Sequence, residues 1–209
     1  MIVLGDGAVG KTCTVIRLTK DEFGKSYKQT LGLDFFNHSL VLQGDVNVTQ
    51  QIWDIGGQSI SGKMIGNYIF GAHAVVFLYD ITNYASFQNL EDWYGLVKRR
   101  FEKDGVPMPY MALVGNKTDL SHMRTVKVDK HTAFAKDNGM KSFFISAKTG
   151  DQVNTTFTKI AADLAGVTLR KPDVEVATKV VHAEIVDHPT HNEGEPEKAA
   201  KGKKKCAIM

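Results

Sequence analysis

Short apolar runs alternate with longer segments of helical spacing over the first 165 residues. Four of these runs are apolar over nearly their whole length, as in AVVFLYD, and strands buried on both faces of a parallel sheet have this composition. They occupy residues 1–4, 74–80, 110–115 and 142–146. Two further runs, at residues 34–42 and 46–53, are joined by Gln43-Gly44-Asp45, which predicts an antiparallel hairpin.

Helical spacing of apolar residues predicts helices between these strands. The predicted helices cover residues 11–20, 86–103, 129–137 and 152–164. Strands that alternate with helices form right-handed βαβ units, so we predict an α/β protein with a mostly parallel six-stranded sheet, one antiparallel strand and helices on both faces. Because ligands bind beyond the carboxyl ends of such strands, site residues are expected directly after the apolar runs.

The composition changes near residue 166. From there to residue 209 apolar residues are isolated, three prolines interrupt the chain, and HPTHNEGEPEKAAKGKKK is polar and low in complexity. Such a segment buries too little apolar surface to fold by itself. We therefore predict a domain over residues 1–165 and a flexible tail over residues 166–209.

Charge and cysteine content disfavour several classes of protein. The formal net charge is only +3 and no basic stripe with interleaved aromatic residues is present, so no nucleic acid is expected as a partner. Cys13 and Cys206 are far apart, which disfavours a disulfide and fits a reducing compartment. No apolar stretch approaches the roughly 18 residues of a transmembrane helix, and no secretory signal pattern is present.

The first predicted strand is followed by a phosphate-binding pattern. GDGAVGKT matches G-x-x-x-x-G-K-[ST] and leads into a predicted helix, a context that disfavours the alternative of a chance glycine-rich turn. The glycines let backbone N–H groups converge on phosphate oxygens, while Lys11 is expected to reach the β- and γ-phosphates and Thr12 to bind Mg²⁺. The nucleotide-binding residues predicted in this segment are Gly5, Asp6, Gly7, Ala8, Val9, Gly10, Lys11, Thr12 and Cys13.

The segment NKTD after the strand at residues 110–115 is predicted to select the base. The Asp119 carboxylate can accept from both N1–H and the N2 amino group of guanine, a donor pair that adenine lacks. Asn116 is expected to brace the loop and the Lys117 stem to lie over the base. A polar turn is the alternative for this short motif taken alone. Ser146-Ala147-Lys148 follows another strand end, where a backbone N–H can donate to guanine O6 and Lys148 can pack on the ring.

A third segment, WDIGGQ, follows the strand at residues 46–53. Asp54 is predicted to hold Mg²⁺ through water, and the Gly57 N–H to bond the γ-phosphate at a peptide that turns when this phosphate leaves. Gln58 is predicted to orient the attacking water, so Lys11, Gly57 and Gln58 are the predicted catalytic residues.

These motifs together resemble the Ras-like small GTPases in order and spacing over about residues 1–165, which implies the P-loop GTPase fold. Within that group TLGLDFF and the following WD are similar to the Rab branch. The resemblance implies that Thr30 is the remaining Mg²⁺ ligand, that Phe23 lies edge-on to guanine and that Tyr27 closes over the phosphates. It also implies an exchange factor, a GTPase-activating protein that supplies an arginine in trans, and effectors that bind the switch regions.

Three aromatic residues, Phe35, Trp53 and Tyr68, match the aromatic triad of the Rab effector face. A core cluster exposed at one side is an equally weighted alternative. Two departures from the family are also present. Four residues precede Gly5, fewer than in most members, which implies a short and less stable first strand, and Ile55-Gly56 replaces Thr-Ala. The extra glycine is expected to loosen the switch backbone and to alter the hydrolysis rate.

The chain ends in CAIM, a C-a-a-X prenylation box in which the final methionine favours a farnesyl group on Cys206. Five lysines precede this cysteine without an acid beyond Glu197: Lys198, Lys201, Lys203, Lys204 and Lys205. One lipid chain anchors weakly, and each lysine near an anionic leaflet adds about 1 kcal/mol. We therefore expect a two-signal anchor on the cytoplasmic face of membranes (cell, ciliary or endosomal) with a cytosolic pool. A solvated charge run beside a chance cysteine is the alternative.

Three functions are compatible with the motifs. The first is a GTP-hydrolysing switch of the Rab type that regulates vesicle or ciliary trafficking through effectors. The second is a guanine-nucleotide-binding scaffold that hardly hydrolyses GTP, which Ile55-Gly56 motivates. The third, an adenine-nucleotide enzyme, is disfavoured by Asp119.

Overall fold

The computed structural model describes residues 1–24, 29–57 and 65–170. Six strands in these residues form one sheet in the order β2-β3-β1-β4-β5-β6. The strands are β1 (Ile2–Leu4), β2 (Leu33–Leu42), β3 (Val46–Ile55), β4 (Ala74–Asp80), β5 (Tyr110–Asn116) and β6 (Lys141–Phe144). Only β2 and β3 pair antiparallel, in the register Leu42↔Val46 to Leu33↔Ile55, and the other pairs are parallel. The predicted mostly parallel sheet with one antiparallel strand is confirmed.

Helices cover both faces of this sheet. They are α1 (Lys11–Lys20), α2 (Ile65–Ile69), α3 (Tyr84–Gln88), α4 (Leu90–Asp104), α5 (Val128–Asp137) and α6 (Val153–Ala165), with a short 3-10 segment at Thr118–Met123. None of the helices in the described ranges is long and apolar enough to span a bilayer.

The alternation of side chains along β4 explains the two cores. All seven of its residues are buried, and Phe77 and Tyr79 pack with α4 on one face while Val76 and Leu78 pack with α1 and α6 on the other. Successive residues of a strand point to opposite faces, so a central strand must be apolar throughout. This arrangement confirms the α/β architecture with helices on both faces.

The prediction of one helix at residues 86–103 is wrong, because α3 and α4 are separate helices divided at Asn89. The Asn83 side chain caps α3 by accepting from the N–H groups of Ala85 and Ser86. The backbone of Asn89 remains in the right-handed helical region (φ −66°, ψ −9°), so no glycine or proline marks the division. The short helix α2 was not predicted.

The chain continues to pack on the domain after α6. Val167 and Leu169 pack against a buried cluster formed by Leu42 of β2 with Ala161 and Ala162 of α6. The division at residue 166 stays a prediction, and residues 171–209, with Cys206 and its lysines, lie outside the described residues.

Candidate functional site

The turn between β1 and α1 requires glycine at two positions. Gly5 has φ +139°, and a Cβ there would lie 2.0 Å from the Leu78 carbonyl oxygen. Gly10 has φ +98°, and a Cβ there would lie 2.3 Å from Asn116 Nδ2. Both the positive φ and the close approach exclude larger residues. The loop therefore presents its backbone closely to the space in front of α1, the geometry suited to an anion at a helix N-terminus.

Lys11, the first residue of α1, is folded back over this loop. Its side chain is 6% exposed, and Nζ donates to the carbonyl oxygens of Gly5 and Asp6 at 2.7 Å each. Burial lowers the pKa of Lys11 to about 8, while the carboxylates of Asp54 and Asp6 oppose this shift. A buried ammonium group whose hydrogen-bond partners are neutral carbonyl oxygens still attracts an anion. Phosphate oxygens at the mouth of the loop are anions of this kind.

Three side-chain oxygens meet beside Lys11. Thr12 Oγ1 donates to Asp54 Oδ2 at 2.5 Å and lies 2.7 Å from Thr30 Oγ1. Asp54 is fully buried, and its Oδ1 has no hydrogen-bond partner among the described residues. Burial raises the pKa of Asp54, an effect that the Thr12 hydrogen bond and Lys11 counteract. A buried carboxylate with an unpartnered oxygen beside two hydroxyls is a set of hard ligands, and it fits Mg²⁺.

Asn116 and Lys117 connect the phosphate loop to the loops after β5 and β6. The buried Asn116 side chain donates to the Val9 carbonyl oxygen at 2.9 Å and accepts from the Ala147 N–H at 3.0 Å. Lys117 Nζ donates to the Ala8 carbonyl oxygen at 3.1 Å and pairs with Asp80. Asn116 and Lys117 therefore link the phosphate loop at one end of the site to the loops at the other end.

Asp119 is held at the opposite end of the site. Its Oδ1 accepts from Ser146 Oγ at 2.7 Å, and its Oδ2 lies 3.8 Å from Lys148 Nζ. These contacts leave acceptor capacity on a carboxylate that lines the cleft, because each oxygen offers two lone pairs. The carboxylate can accept from the paired N–H groups of a guanine edge.

A single cleft of about 410 Å³ joins these groups. Predicted residues that line it are Gly7, Ala8, Gly10, Lys11, Thr12, Cys13, Phe23, Thr30, Gly57, Asn116, Lys117, Asp119, Ala147 and Lys148. Five other predicted residues do not line it but hold it together from behind: Gly5, Asp6, Val9, Asp54 and Ser146. Tyr27, Gln58 and Cys206 lie outside the described residues. Sequence reasoning missed the lining residues Ile16, Gly24, Gln29 and Leu120.

Gly57 lies directly against the phosphate loop. A Cβ on this residue would be 2.2 Å from the Gly7 nitrogen and 2.3 Å from the Asp6 carbonyl carbon. The preceding Gly56 is buried and its N–H donates to the Gly32 carbonyl oxygen at 2.9 Å. This hydrogen bond joins the segment after β3 to the segment that carries Thr30.

Three polar residues that contact the site were not predicted: Asp80, Asn89 and Trp93. Asp80 ends the apolar run AVVFLYD, so its place at the carboxyl end of a parallel strand was a readable signal. Asn89 Nδ2 and Trp93 Nε1 both donate to Asp6, over separations of 83 and 87 residues. No local sequence pattern predicts contacts between residues so far apart in the chain.

The aromatic side chains of Phe35, Trp53 and Tyr68 form one group. Ring centroids of Phe35 and Trp53 lie 5.9 Å apart, and those of Trp53 and Tyr68 lie 6.1 Å apart. Phe35 is 50% exposed, whereas the other two pack partly against the core. The group thus combines an exposed side with a buried one, and both alternatives stated above remain.

Known proteins are similar to this chain over residues 1–166 and beyond. The profile of the Ras family matches residues 1–166. The chain is 43% identical over 193 residues to Ras-related protein Rab-28 of Caenorhabditis elegans, which covers 92% of this chain and 77% of that protein. It is 36% identical to human Ras-related protein Rab-26, over 82% of this chain and 66% of that protein. It is 32% identical to dog Ras-related protein Rab-13, over 78% of each.

Proposed function

The chain belongs to the Ras family as a Rab-type small GTPase, and from this premise we propose that it is a membrane-anchored switch that hydrolyses bound GTP and binds effectors only in the GTP state. The observation that carries the proposal is the single cleft, which has the phosphate loop and the Thr12–Thr30–Asp54 group at one end and Asp119 at the other. GTP fits both ends of this cleft, because its triphosphate suits the phosphate loop and its guanine base suits Asp119.

The residues of the cleft divide the work of binding. Lys11 and the backbone N–H groups of the loop bind the phosphates, and Asp119 accepts from N1–H and the N2 amino group of guanine. Thr12, Thr30 and Asp54 would hold Mg²⁺. Mg²⁺, when bound, supplies positive charge at the β- and γ-phosphate oxygens. Adenine is rejected because it would leave a desolvated carboxylate unpaired.

Hydrolysis depends on the turn after β3. The Gly57 N–H donates to the γ-phosphate, and Gln58 orients the water that attacks it, while an activating protein adds the missing arginine. When the γ-phosphate leaves, the Gly57 N–H loses its partner, and the segments that carry Gly57 and Thr30 change conformation. Effectors on the face of Phe35, Trp53 and Tyr68 read this change.

Membrane attachment comes from the tail. A prenyl group on Cys206, farnesyl by the CAIM pattern, and the adjacent lysines form two signals that together hold the protein on anionic membranes. Mass spectrometry of the protein isolated from eukaryotic cells tests this directly. A mass increase of one farnesyl group on Cys206, absent from Cys206→Ser, supports the anchor, and an unmodified cysteine contradicts it.

The nucleotide assignment is tested by identifying what the purified protein releases on denaturation. We expect GDP or GTP in about equimolar amount, and displacement of a fluorescent GDP by GTP but not by ATP. An adenine nucleotide, or equal displacement by ATP, would remove the basis of the proposal.

A second function is favoured by Gly56. Gly56 is buried, and its N–H donates to the Gly32 carbonyl oxygen. Because glycine allows many backbone conformations, this hydrogen bond can hold the segment after β3 away from the position that hydrolysis needs. In that case the protein is a nucleotide-binding scaffold. Single-turnover hydrolysis separates the two: Gln58→Leu slows a hydrolysing switch at least tenfold and leaves the rate of a scaffold unchanged.

A further inference from the structure

The side chain of Asp6 faces away from the cleft that its own backbone helps to form. Its Oδ2 accepts from Asn89 Nδ2 at 2.7 Å, and its Oδ1 accepts from Trp93 Nε1 at 2.9 Å. Asn89 is the N-cap residue of α4 and Trp93 lies in its first turn, and Asp6 is absent from the cleft lining. Each carboxylate oxygen therefore accepts from one donor at the start of α4, a helix that contributes no residue to the cleft lining.

The backbone of Asp6 contacts two residues assigned to phosphate chemistry. Its carbonyl oxygen accepts from Lys11 Nζ at 2.7 Å. The same peptide is the closest surface to Gly57, since a Cβ on Gly57 would lie 2.3 Å from the Asp6 carbonyl carbon and 2.6 Å from its oxygen. A shift of this peptide would move the partner of Lys11 and the surface beside Gly57 together.

The helix that holds the Asp6 carboxylate also supports α2. Ile69 of α2 belongs to the same buried cluster as Trp93 and Val97 of α4. The Arg100 guanidinium lies 5.4 Å from the centre of the Phe70 ring, just beyond α2. The phosphate loop and the helix that follows residues 58–64 are therefore fixed to one 15-residue helix.

A glycine-rich loop has few side chains with which to hold its own conformation, so an external anchor is required. Hydrogen bonds from neutral donors to a carboxylate are stronger than those between neutral groups. We propose that Asp6 is a positioning residue that fixes the phosphate loop to α4 through Asn89 and Trp93, so that nucleotide release and hydrolysis depend on two hydrogen bonds outside the cleft. The inference deepens the proposed GTPase site and rests on it.

The test uses the full chain loaded with a fluorescent GDP. Asn89→Ala removes an exposed donor, and Trp93→Phe removes the indole N–H while keeping an aromatic ring in the core. Tyr110→Phe is the matched control, because it also removes one donor to a carboxylate, that of Asp163 at 2.8 Å, without contacting the cleft. We expect GDP release to accelerate about tenfold in both Asn89→Ala and Trp93→Phe, the effect of one charge-assisted hydrogen bond, and less than twofold in the control.

A purely structural role would lower the melting temperature without changing the rates, so melting temperature, GDP release and single-turnover hydrolysis are measured on each variant. The sharpest measurement is in an Asp6→Ala background. If Asp6 is the shared acceptor, Asn89→Ala added to Asp6→Ala changes release by less than twofold, whereas independent effects would multiply.

Two outcomes overturn the inference: variants that melt earlier but release and hydrolyse nucleotide within twofold of the parent, or effects that multiply in the Asp6→Ala background. Should Trp93→Phe fail to fold, the Asn89→Ala series decides alone. Failure of the proposed function is distinguishable, because the parent itself would then not retain guanine nucleotide.

Discussion

Some buried polar side chains in this protein have a hydrogen-bond partner for every polar atom, and others do not. His131 is fully buried, and its two ring nitrogens lie 3.0 Å from Tyr79 Oη and 2.7 Å from Ser142 Oγ. Asp54 is equally buried, yet one of its oxygens has no partner among residues 1–24, 29–57 and 65–170. The first arrangement is complete without a ligand, and the second provides an acceptor for one.

The histidine gives a prediction about pH. Burial, assisted by Arg124, lowers the pKa of His131 to about 4 from 6.5. The folded state therefore binds this proton less readily than the unfolded chain, so the stabilisation is complete above pH 6.5 and is lost as the pH falls toward 4. We expect the free energy of unfolding to drop by about 3 kcal/mol over this range from this group.

Denaturant unfolding of the GDP-bound protein at pH 7.0, 5.5 and 4.5 measures this change. His131→Gln should reduce the difference between pH values, and His122→Gln, at an exposed site, should leave it as in the parent. Identical pH profiles for the parent and His131→Gln would refute the assignment.

Asp119 gives a prediction about base selection. Asp119→Asn replaces one acceptor oxygen by an N–H₂ donor, which repels the guanine N2 amino group and suits the O2 acceptor of xanthine. We expect GTP affinity to fall at least about 10²-fold and xanthosine triphosphate to bind more tightly than GTP. Equilibrium competition against a fluorescent GDP measures both. Asp151→Asn, an exposed carboxylate two residues past the loop at Lys148 and Thr149, is the control and should leave base preference unchanged.

At the scale of elements, local pattern was sufficient for the sheet and insufficient for some helices. β4 alternates between two cores and was predicted to the residue, while the other strands differed by one or two residues at one end or, for β6, at both ends. The division of α3 from α4 at Asn89 could not be read, because it keeps helical backbone angles. The five residues of α2 are too few for an apolar period to be visible.

The site shows the same limit. Glycine, lysine and carboxylate residues at strand ends are marked by motif spacing, and those within the described ranges gather at one cleft. The hydrogen bonds from Asn89 and Trp93 to Asp6 join positions more than 80 residues apart, and a single sequence contains no pattern that predicts such a pairing. Sequence patterns thus locate the residues that face the ligand more readily than those that support them.

The turn after β3 gives the prediction at this scale. A methyl group at Gly57 would overlap the Gly7 nitrogen and the Asp6 carbonyl, so Gly57→Ala must move the turn away from the loop. We expect single-turnover hydrolysis to fall about 10²-fold, as for the loss of one oriented donor, while GDP binding changes less than fivefold. Gly66→Ala in α2 is the control, because a Cβ there would lie 3.6 Å or more from its neighbours. Equal hydrolysis by parent and Gly57→Ala would contradict the role given to this glycine.

At the scale of the whole molecule, the packing of residues 167–169 gives a prediction about truncation. Val167 and Leu169 are half-buried against the cluster of Leu42, Ala161 and Ala162, so removing them exposes apolar surface worth about 2 kcal/mol. A chain ending at Ala165 should melt about 4–8 °C lower than one ending at Arg170. Both should retain guanine nucleotide, and both should lose binding to anionic vesicles. Equal melting temperatures for the two truncated chains would contradict the contribution of Val167 and Leu169.

The position of β1 has a consequence for the order in which the protein can assemble during synthesis. This three-residue strand lies between β3 and β4 and pairs with Trp53, Asp54 and residues 75–77. The loop that follows it depends on Asn116, which in turn binds Ala147. During synthesis β1 therefore cannot complete its pairing until most of the domain has been made, and nucleotide capture by the nascent chain begins only after about residue 150 has emerged from the exit tunnel.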